Sequence, residues 1–309
     1  MKPETRSFYQ AAVERAAHRV MTALDEALDL ESLAREAALS PFHFHRIFRG
    51  MVGETPLELQ RRLRLERAAA SLRDGASAVT AIAFAAGYET HEAFTRAFRS
   101  AFGCAPSAFR AAARTARDPA SCTRPIAATL TSRAGLHYTG TGPLPVIQFL
   151  SGATTMHVTI DQMPALRIAC VRHVGPYNRI SDAFARLGQI AGRAGLYAHP
   201  GAMMLGIYHD DPESVAPEQL RSDAGITIPE GVPLPEGLAE ARIAAGAYAH
   251  TTHVGPYDGL GDAWSRLMGE WLPASGRRVG AGEAFEVYPN SQMNTPPAEL
   301  RTELYLPLA

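Results

Sequence analysis

RHVGPYNRISDAFARL (residues 172–187) and THVGPYDGLGDAWSRL (residues 252–267) match at nine of sixteen positions without a gap, at an offset of 80. A repeat confined to one pentapeptide would signify little, so the register has to persist along the chain. It does. LGIYHD (205–210) lies over FEVYPN (285–290), which pairs Tyr208 with Tyr288, and PEQLRSD (217–223) lies over PAELRTE (297–303), which pairs Asp223 with Glu303. In each copy a short proline-free run, LRIACVRHV or AYAHTTHV, stops at Gly-Pro, the punctuation of a strand end. Apolar residues then fall at Ile180, Phe184, Leu187 and Ala191, and at Leu260, Trp264, Leu267 and Trp271, the spacing of one helical face. Two further strand patterns follow: MMLGIYH and AGITI in the first copy, EAFEVY and RTELYLPL in the second. Each unit therefore reads βαββ.

The chain has 309 residues, 46% of them hydrophobic, enough for two domains with cores of their own. It shows no run of 18 apolar residues and no signal-peptide pattern at MKPETRSFYQ, so a cytoplasmic protein without membrane contact is expected. Cys104, Cys122 and Cys170 are odd in number and widely spaced, which gives neither a disulfide framework nor metal-ligand spacing. No metal and no cofactor are expected. The net charge of −1 hides a division. Residues 1–117 carry 17 Lys and Arg against 13 Asp and Glu, leaving 13 against 18 for the remainder. A basic first half suits a polyanion, and an acidic second half suits cations.

The first half contains its own repeat, spaced by about 50. HRIFRGMVGETP (45–56) lies over TRAFRSAFGCAP (95–106), pairing Arg46 with Arg96, Phe48 with Phe98 and Arg49 with Arg99. Each copy follows an alanine-rich helix pattern and a turn, so helix-turn-helix occurs twice. Second helices of such motifs enter the major groove, where exposed polar residues of their first turns reach base edges. Candidate readers are His43, His45, Arg46, His91, Glu92 and Arg96, with Arg49 and Arg99 on phosphates; Phe44, Ile47, Phe48, Phe94 and Phe98 are expected to hold the helices in place. Between the motifs, Arg61, Arg62, Arg64 and Arg67 offer further backbone contacts.

On LESLAREAALSPFHFHRIFRGMVGETPLEL and AVTAIAFAAGYETHEAFTRAFRSAFGCAPSAFR, the chain resembles the AraC family of transcriptional regulators over about residues 8–114. That resemblance implies double-stranded DNA as a partner, read by two helix-turn-helix units in successive major-groove segments. His45 stands where Gln or Ser is common, and the basic count is low, which leaves a homodimer and RNA polymerase as open partner expectations. On MPALRIACVRHVGPY, IYHDDPE, LRSDAGI, GAYAHTTHVGPYDGLGDAW, FEVYPN and RTELYLPL, residues 156–309 resemble the GyrI-like effector-binding domains. The implied fold is one curved antiparallel sheet from two βαββ units with helices on one face, and an opposite, concave face that binds small, often hydrophobic and cationic molecules. The expected organisation is a DNA-binding domain over 1–114, a linker over 115–155 with one strand at VIQFL, and a small-molecule domain over 156–309.

In RTELYL alternate residues face opposite sides, so if Leu304 and Leu306 meet the helices, Glu303 and Tyr305 line the open face. A carboxylate there among Tyr177, Tyr208, Tyr257, Trp264, Phe285 and Tyr288 would attract an aromatic or lipophilic cation. Asp223, the repeat partner of Glu303, is open between a ligand contact and a structural one with Arg221. His173 and His253 lack the context of metal or acid–base chemistry and read as part of the strand-end turn. Three functions compete: a ligand-responsive transcription factor, a hydrolase of electrophilic genotoxins using Glu303 and Tyr257 as some GyrI-like domains do, and a sequestering protein for drugs or toxins. Two helix-turn-helix units favour the first and a non-enzyme.

Overall fold

The computed structural model describes residues 3–115, 130, 132–140, 142–150, 156–210 and 215–309. Its chain divides into two compact units: Gln10–Ala37 with Phe48–Ser151, and Met1–Tyr9 with Ala38–Ile47 and Gly152–Ala309.

Seven helices occupy the first 115 residues: α1 Pro3–Thr22, α2 Leu30–Glu36, α3 Pro41–Val52, α4 Pro56–Asp74, α5 Val79–Ala85, α6 His91–Phe102 and α7 Pro106–Thr115. Their ends are fixed by local chemistry. Asp29 caps α2 by accepting from the Ser32 N–H, and Thr55 with Glu58 forms a reciprocal capping box ahead of Pro56. Thr90 caps α6, and Gly103 ends it with a left-handed φ of 73°. The second helix-turn-helix, α5–α6, packs on α4 and α7 through Leu65, Leu72, Ile82, Phe94, Phe98, Phe102 and Phe109. Phe94, Phe98 and Phe102 recur every four residues, which turns one stripe of α6 inward and leaves Glu92, Arg96 and Arg99 outside.

Residues 132–150 correct one expectation. VIQFL forms no strand; this stretch lies against helices, with Leu150 N–H donating to the Met51 carbonyl and Tyr138 N–H donating to Glu66. Ala134, Leu136 and Ile147 are buried, so the segment contributes to a core.

The C-terminal part is an eight-stranded antiparallel sheet. Its strands are β1 Thr159–Met163, β2 Leu166–Val174, β3 Met204–Tyr208, β4 Arg221–Thr227, β5 Ala239–Ile243, β6 Gly246–Val254, β7 Phe285–Val287 and β8 Arg301–Pro307. They lie in the order β1-β6-β8-β7-β3-β4-β2-β5. Adding 80 to each residue of β1 to β4 gives β5 to β8, and the strand order then reads the same backwards. A pseudo-twofold axis therefore passes between β3 and β7, where Gly206 faces Glu286. The sequence missed β1 and β5, whose TIDQM and AEARI are short and polar because they form the sheet edges. Each pairs with the other copy: β1 with β6, and β5 with β2.

Helix α8 (Ser181–Arg193) covers the first half of one sheet face, packing Ala183, Leu187 and Ala191 on Ala169, Val171, Ala224 and Ile226. In the second copy α9 (Leu260–Arg266) runs through a π-turn, Leu267–Trp271, into α10 (Leu272–Ser275). Leu272 N–H donates to Leu267, five residues back. Pro273 supplies the cause: it lacks an N–H and its ring crowds the carbonyl four residues earlier, so the turn widens. The other face buries Ile168, Cys170, Leu205, Ile207, Tyr248, Phe285, Val287 and Tyr305.

Candidate functional site

Both HVGPY segments are clasps. Gly175 and Gly255 adopt φ of 140° and 134°, a region closed to side chains, and their N–H groups donate to Leu220 and Leu300 carbonyls at 2.8 and 2.9 Å. Nε2 of His173 and of His253 lies 3.1 Å from the carbonyl oxygen of Pro176 and of Pro256, so each ring donates there and pins the turn. The histidines are thus structural. The clasp delivers Tyr177 and Tyr257 at the start of the helices, on either side of the pseudo-twofold axis.

Between them lies a carboxylate that sequence reasoning passed over. Glu286 sits in the middle of β7 and is 3% exposed. Trp264 Nε1 donates to its Oε1 at 2.7 Å, and the Tyr288 hydroxyl donates to its Oε2 at 2.7 Å. The Tyr208 and Tyr288 hydroxyls meet at 2.8 Å. Around this chain of hydroxyls, Tyr177 packs edge-on to Tyr208 at 4.9 Å, and Phe184 and Tyr257 pack on Tyr288 at 5.4 and 5.7 Å. Burial disfavours the charged form, so the Glu286 carboxyl is held above the usual carboxylate range despite its two donors. The same burial, with Glu286 nearby, raises Tyr257 and pushes Tyr208 and Tyr288 well above the ordinary phenol range.

The pleat divides the expected ligand residues into two groups. Tyr177, Tyr208, Tyr257, Trp264 and Tyr288 converge on Glu286 on the face that carries the helices. Phe285, Glu303 and Tyr305 lie on the other face: Phe285 stacks on Tyr305 at 4.7 Å, and Tyr305 stacks on His250 at 4.5 Å. The alternation argument held for β8, since Leu304 is the cross-strand partner of Glu286 and shares its face. Its consequence differed. The aromatic cluster did not follow Glu303 to the opposite face, because α8 and α9 bring Phe184 and Trp264 to the helix side. Glu303 is 27% exposed, accepts from the Tyr305 hydroxyl at 3.3 Å and lies 3.7 Å from His250 Nε2. Tyr305 is pushed up to about 12 by burial and by that neighbouring carboxylate. Applied to FEVY, the same period of two would have put Glu286 and Tyr288 together on one face, which was the available signal.

Asp223 resolves toward structure, with partners other than the one expected. Arg172 donates to it through Nε at 2.5 Å and Nη2 at 3.0 Å, and His209 Nε2 lies 2.7 Å away. Arg221 pairs instead with Asp210. Cys170, whose thiol burial pushes up to about 11, and Cys104 are unbridged; Cys122 lies outside the described residues.

In the helical region, Arg96, Arg99 and Glu92 are exposed along one side of α6, with His91 half-buried at its first turn. The corresponding residues of α3 differ. His45 is 5% exposed, and His43, beside the Ser40 hydroxyl at 2.9 Å, is driven down to about 4 by burial, so it is neutral at physiological pH. Arg46 and Arg49 remain half-exposed, and Arg46 lies over the Phe42 ring at 4.5 Å. On α4, Arg62 binds Glu54 and Glu66, Arg64 binds the Leu24 and Glu26 carbonyls, and Arg67 binds Asp25 and the Ala85 carbonyl. These three brace the helical unit rather than offering open phosphate contacts. Among the described residues, no helix is long and apolar enough to cross a membrane.

Residues 156–309 match the family model of the GyrI-like small molecule binding domain, and residues 33–112 match a helix-turn-helix domain. A DNA gyrase inhibitor of Serratia proteamaculans is 36% identical over 143 residues, covering 44% of this chain and 88% of the relative. The probable transcriptional regulator YgiV of Escherichia coli K12 is 27% identical over 158 residues, covering 50% of this chain and 98% of YgiV. The uncharacterized HTH-type transcriptional regulator YbfP of Bacillus subtilis is 34% identical over 103 residues, covering 33% of this chain and 35% of YbfP.

Proposed function

Because the chain belongs to the GyrI-like family and joins that small-molecule-binding domain to an AraC-type helix-turn-helix domain, as a transcriptional regulator does, we propose that its effector is a hydrophobic cation whose charge is met by Glu286. The observation that carries this reading is a buried carboxylate whose hydrogen-bond donors, Trp264 and Tyr288, are both neutral. A carboxylate so placed loses solvation without gaining a full opposite charge. A cation with an apolar body restores the charge balance and offers its surface to Tyr177, Phe184, Tyr257 and Trp264, whose ring faces attract positive charge. The acidic balance of the second half of the chain favours the same ligand class. On the DNA side, Arg96 and Glu92 of α6 are proposed to read bases and Arg99 to hold phosphate, with Arg46 and Arg49 as their counterparts on α3.

Binding suits this cleft better than turnover. A tyrosine nucleophile needs a lowered pKa, whereas burial and Glu286 hold Tyr208, Tyr257 and Tyr288 in the phenol form. The test is calorimetric titration of tetraphenylphosphonium and of neutral triphenylphosphine oxide into wild type and Glu286→Gln. The amide keeps the shape and removes the charge. Cation affinity should fall by about 1.5–3 kcal/mol, the scale of a hydrogen bond to a charged group, while the neutral compound scarcely changes. Equal losses for both would make Glu286 a packing residue. Consumption of an electrophilic ester by wild type and not by Glu286→Gln would replace the regulator reading of this domain with hydrolysis.

A further inference from the structure

Gly206 is the position that the 80-residue offset lays over Glu286, and the two are cross-strand partners at the pseudo-twofold axis. Its φ is not positive, so no backbone requirement calls for glycine there. Space does. A Cβ built on Gly206 would stand 2.9 Å from the Tyr288 hydroxyl oxygen, and 3.2 and 3.4 Å from Cε2 and the hydroxyl oxygen of Tyr208. Those are the two hydroxyls that meet, and the first of them is the one that donates to Glu286.

We propose that Gly206 is a specificity-determining residue of the cleft: by carrying no side chain, it leaves room for the Tyr208–Tyr288 hydroxyl pair and so lets Tyr288 hold Glu286. This rests on the reading of Glu286 as the partner of a cation. The backbone at 206 cannot retreat from an added methyl, because Gly206 lies opposite Glu286 in β7 and Ala224 in β4, between paired strands. Tyr288 must give instead. Its hydroxyl is the far end of a side chain, and swinging it away removes one of the two donors to Glu286 and moves a ring that Phe184 and Tyr257 both touch. The glycine also fixes the charge of the cleft. Had both copies kept an acid here, two carboxylates would face each other across one antiparallel pair, which is destabilising. With Gly206 opposite Glu286, one carboxylate serves the whole cleft, on the side of the second copy, and the matching ligand carries one positive charge displaced to that side.

The experiment is a double-mutant cycle on the full chain, with tetraphenylphosphonium titrated into wild type, Gly206→Ala, Tyr288→Phe and the double variant, and Glu286→Gln as reference. Gly206→Ala should weaken binding about ten-fold or more. Tyr288→Phe should also weaken it, and the double variant should bind no worse than Tyr288→Phe alone, because the hydroxyl that the methyl displaces is already gone. Unchanged affinity in Gly206→Ala, or losses that add in full, would overturn the proposal. If Gly206→Ala loses its cooperative thermal transition, the double variant should regain it, and failure to do so also overturns the proposal. Loss of binding in Glu286→Gln with none in Gly206→Ala refutes the role of Gly206 alone. Wild-type binding equal to that of Glu286→Gln refutes the cleft reading and this inference with it.

Discussion

The two βαββ copies keep the same strands, the same glycine turns and the same tyrosines, and they differ in where each keeps its acids. In the first copy, Asp223 on β4 is 2% exposed and held by Arg172 and His209, while Gly206 leaves the middle of the sheet without charge. In the second, Thr252 and Pro289 stand where Arg172 and His209 would be, so Glu303 has no such clamp, and the central position carries Glu286. One copy satisfies its acid internally and serves as scaffold. The other holds a buried acid with neutral donors and can respond to something from outside. Fold symmetry thus supplies two walls of a cleft, and the broken charge symmetry decides what the cleft recognises.

The largest effect that would test this division is on stability. Asp223→Ala strips Arg172 and His209 of a shared acceptor and should cost roughly 2–3 kcal/mol in urea unfolding, near the upper end for unsatisfied buried groups. Glu303→Ala, at the matching position, should cost less than about 1 kcal/mol, as exposed charges do. Equal losses would erase the distinction between scaffold copy and responsive copy. The pH dependence carries the same signature. Burial alone would raise the Asp223 carboxyl, but the bonds from His209 and Arg172 outweigh it and hold the carboxyl below its ordinary value. A depressed carboxylate stabilises fully above its unfolded pKa of about 4, and that contribution fades as the pH falls through the lower folded value. Asp223→Asn should therefore flatten the acid limb of the stability curve and leave the neutral limb parallel to wild type.

The helix-turn-helix pair sharpens the comparison, because its copies diverge in the same manner. Helix α6 exposes Glu92, Arg96 and Arg99, whereas α3 buries His45 and keeps His43 neutral. Arg96→Ala should lose on the order of 1–3 kcal/mol of specific DNA affinity and relax preference at one half of the site. His45→Ala should register instead as a lower melting temperature. Equal weakening by Arg96→Ala on specific and random duplexes would reduce Arg96 to a phosphate contact.

Most of this architecture was legible because periodicity and repetition report directly on burial. The 80-residue offset exposed the βαββ units, and the paired Phe-x-x-Phe stripes exposed the helix-turn-helix motifs. Local pattern gave less where tertiary context decides. TIDQM and AEARI have no apolar alternation to reveal an edge strand, and VIQFL has strand propensity yet packs as irregular chain against helices. Of the eight ligand residues expected, five meet in one cluster. The acid at its centre escaped notice because Glu286 lies in a strand of only three residues between Phe285 and Val287, which looks like ordinary core.

The smallest expected effect is the one that most directly separates the two faces of the sheet. Glu303 is the more conspicuous acid in sequence, in a clean alternation and beside Tyr305, but it stands on the face away from Trp264, Tyr257 and Tyr288. Its neighbours there include His250, which Asp161 also approaches at 3.0 Å, so its surroundings already contain polar partners and solvent. An ion pair formed at such a place is worth about 0–1 kcal/mol. Glu303→Gln should therefore change tetraphenylphosphonium affinity by less than about 1 kcal/mol, against the larger loss from Glu286→Gln, and added salt should shrink the difference further because partly exposed charges are screened. A loss in Glu303→Gln as large as that in Glu286→Gln, confined to the cation and absent for the neutral analogue, would move the site to the opposite face. It would also make the buried aromatic cluster around Glu286 a core rather than a cleft.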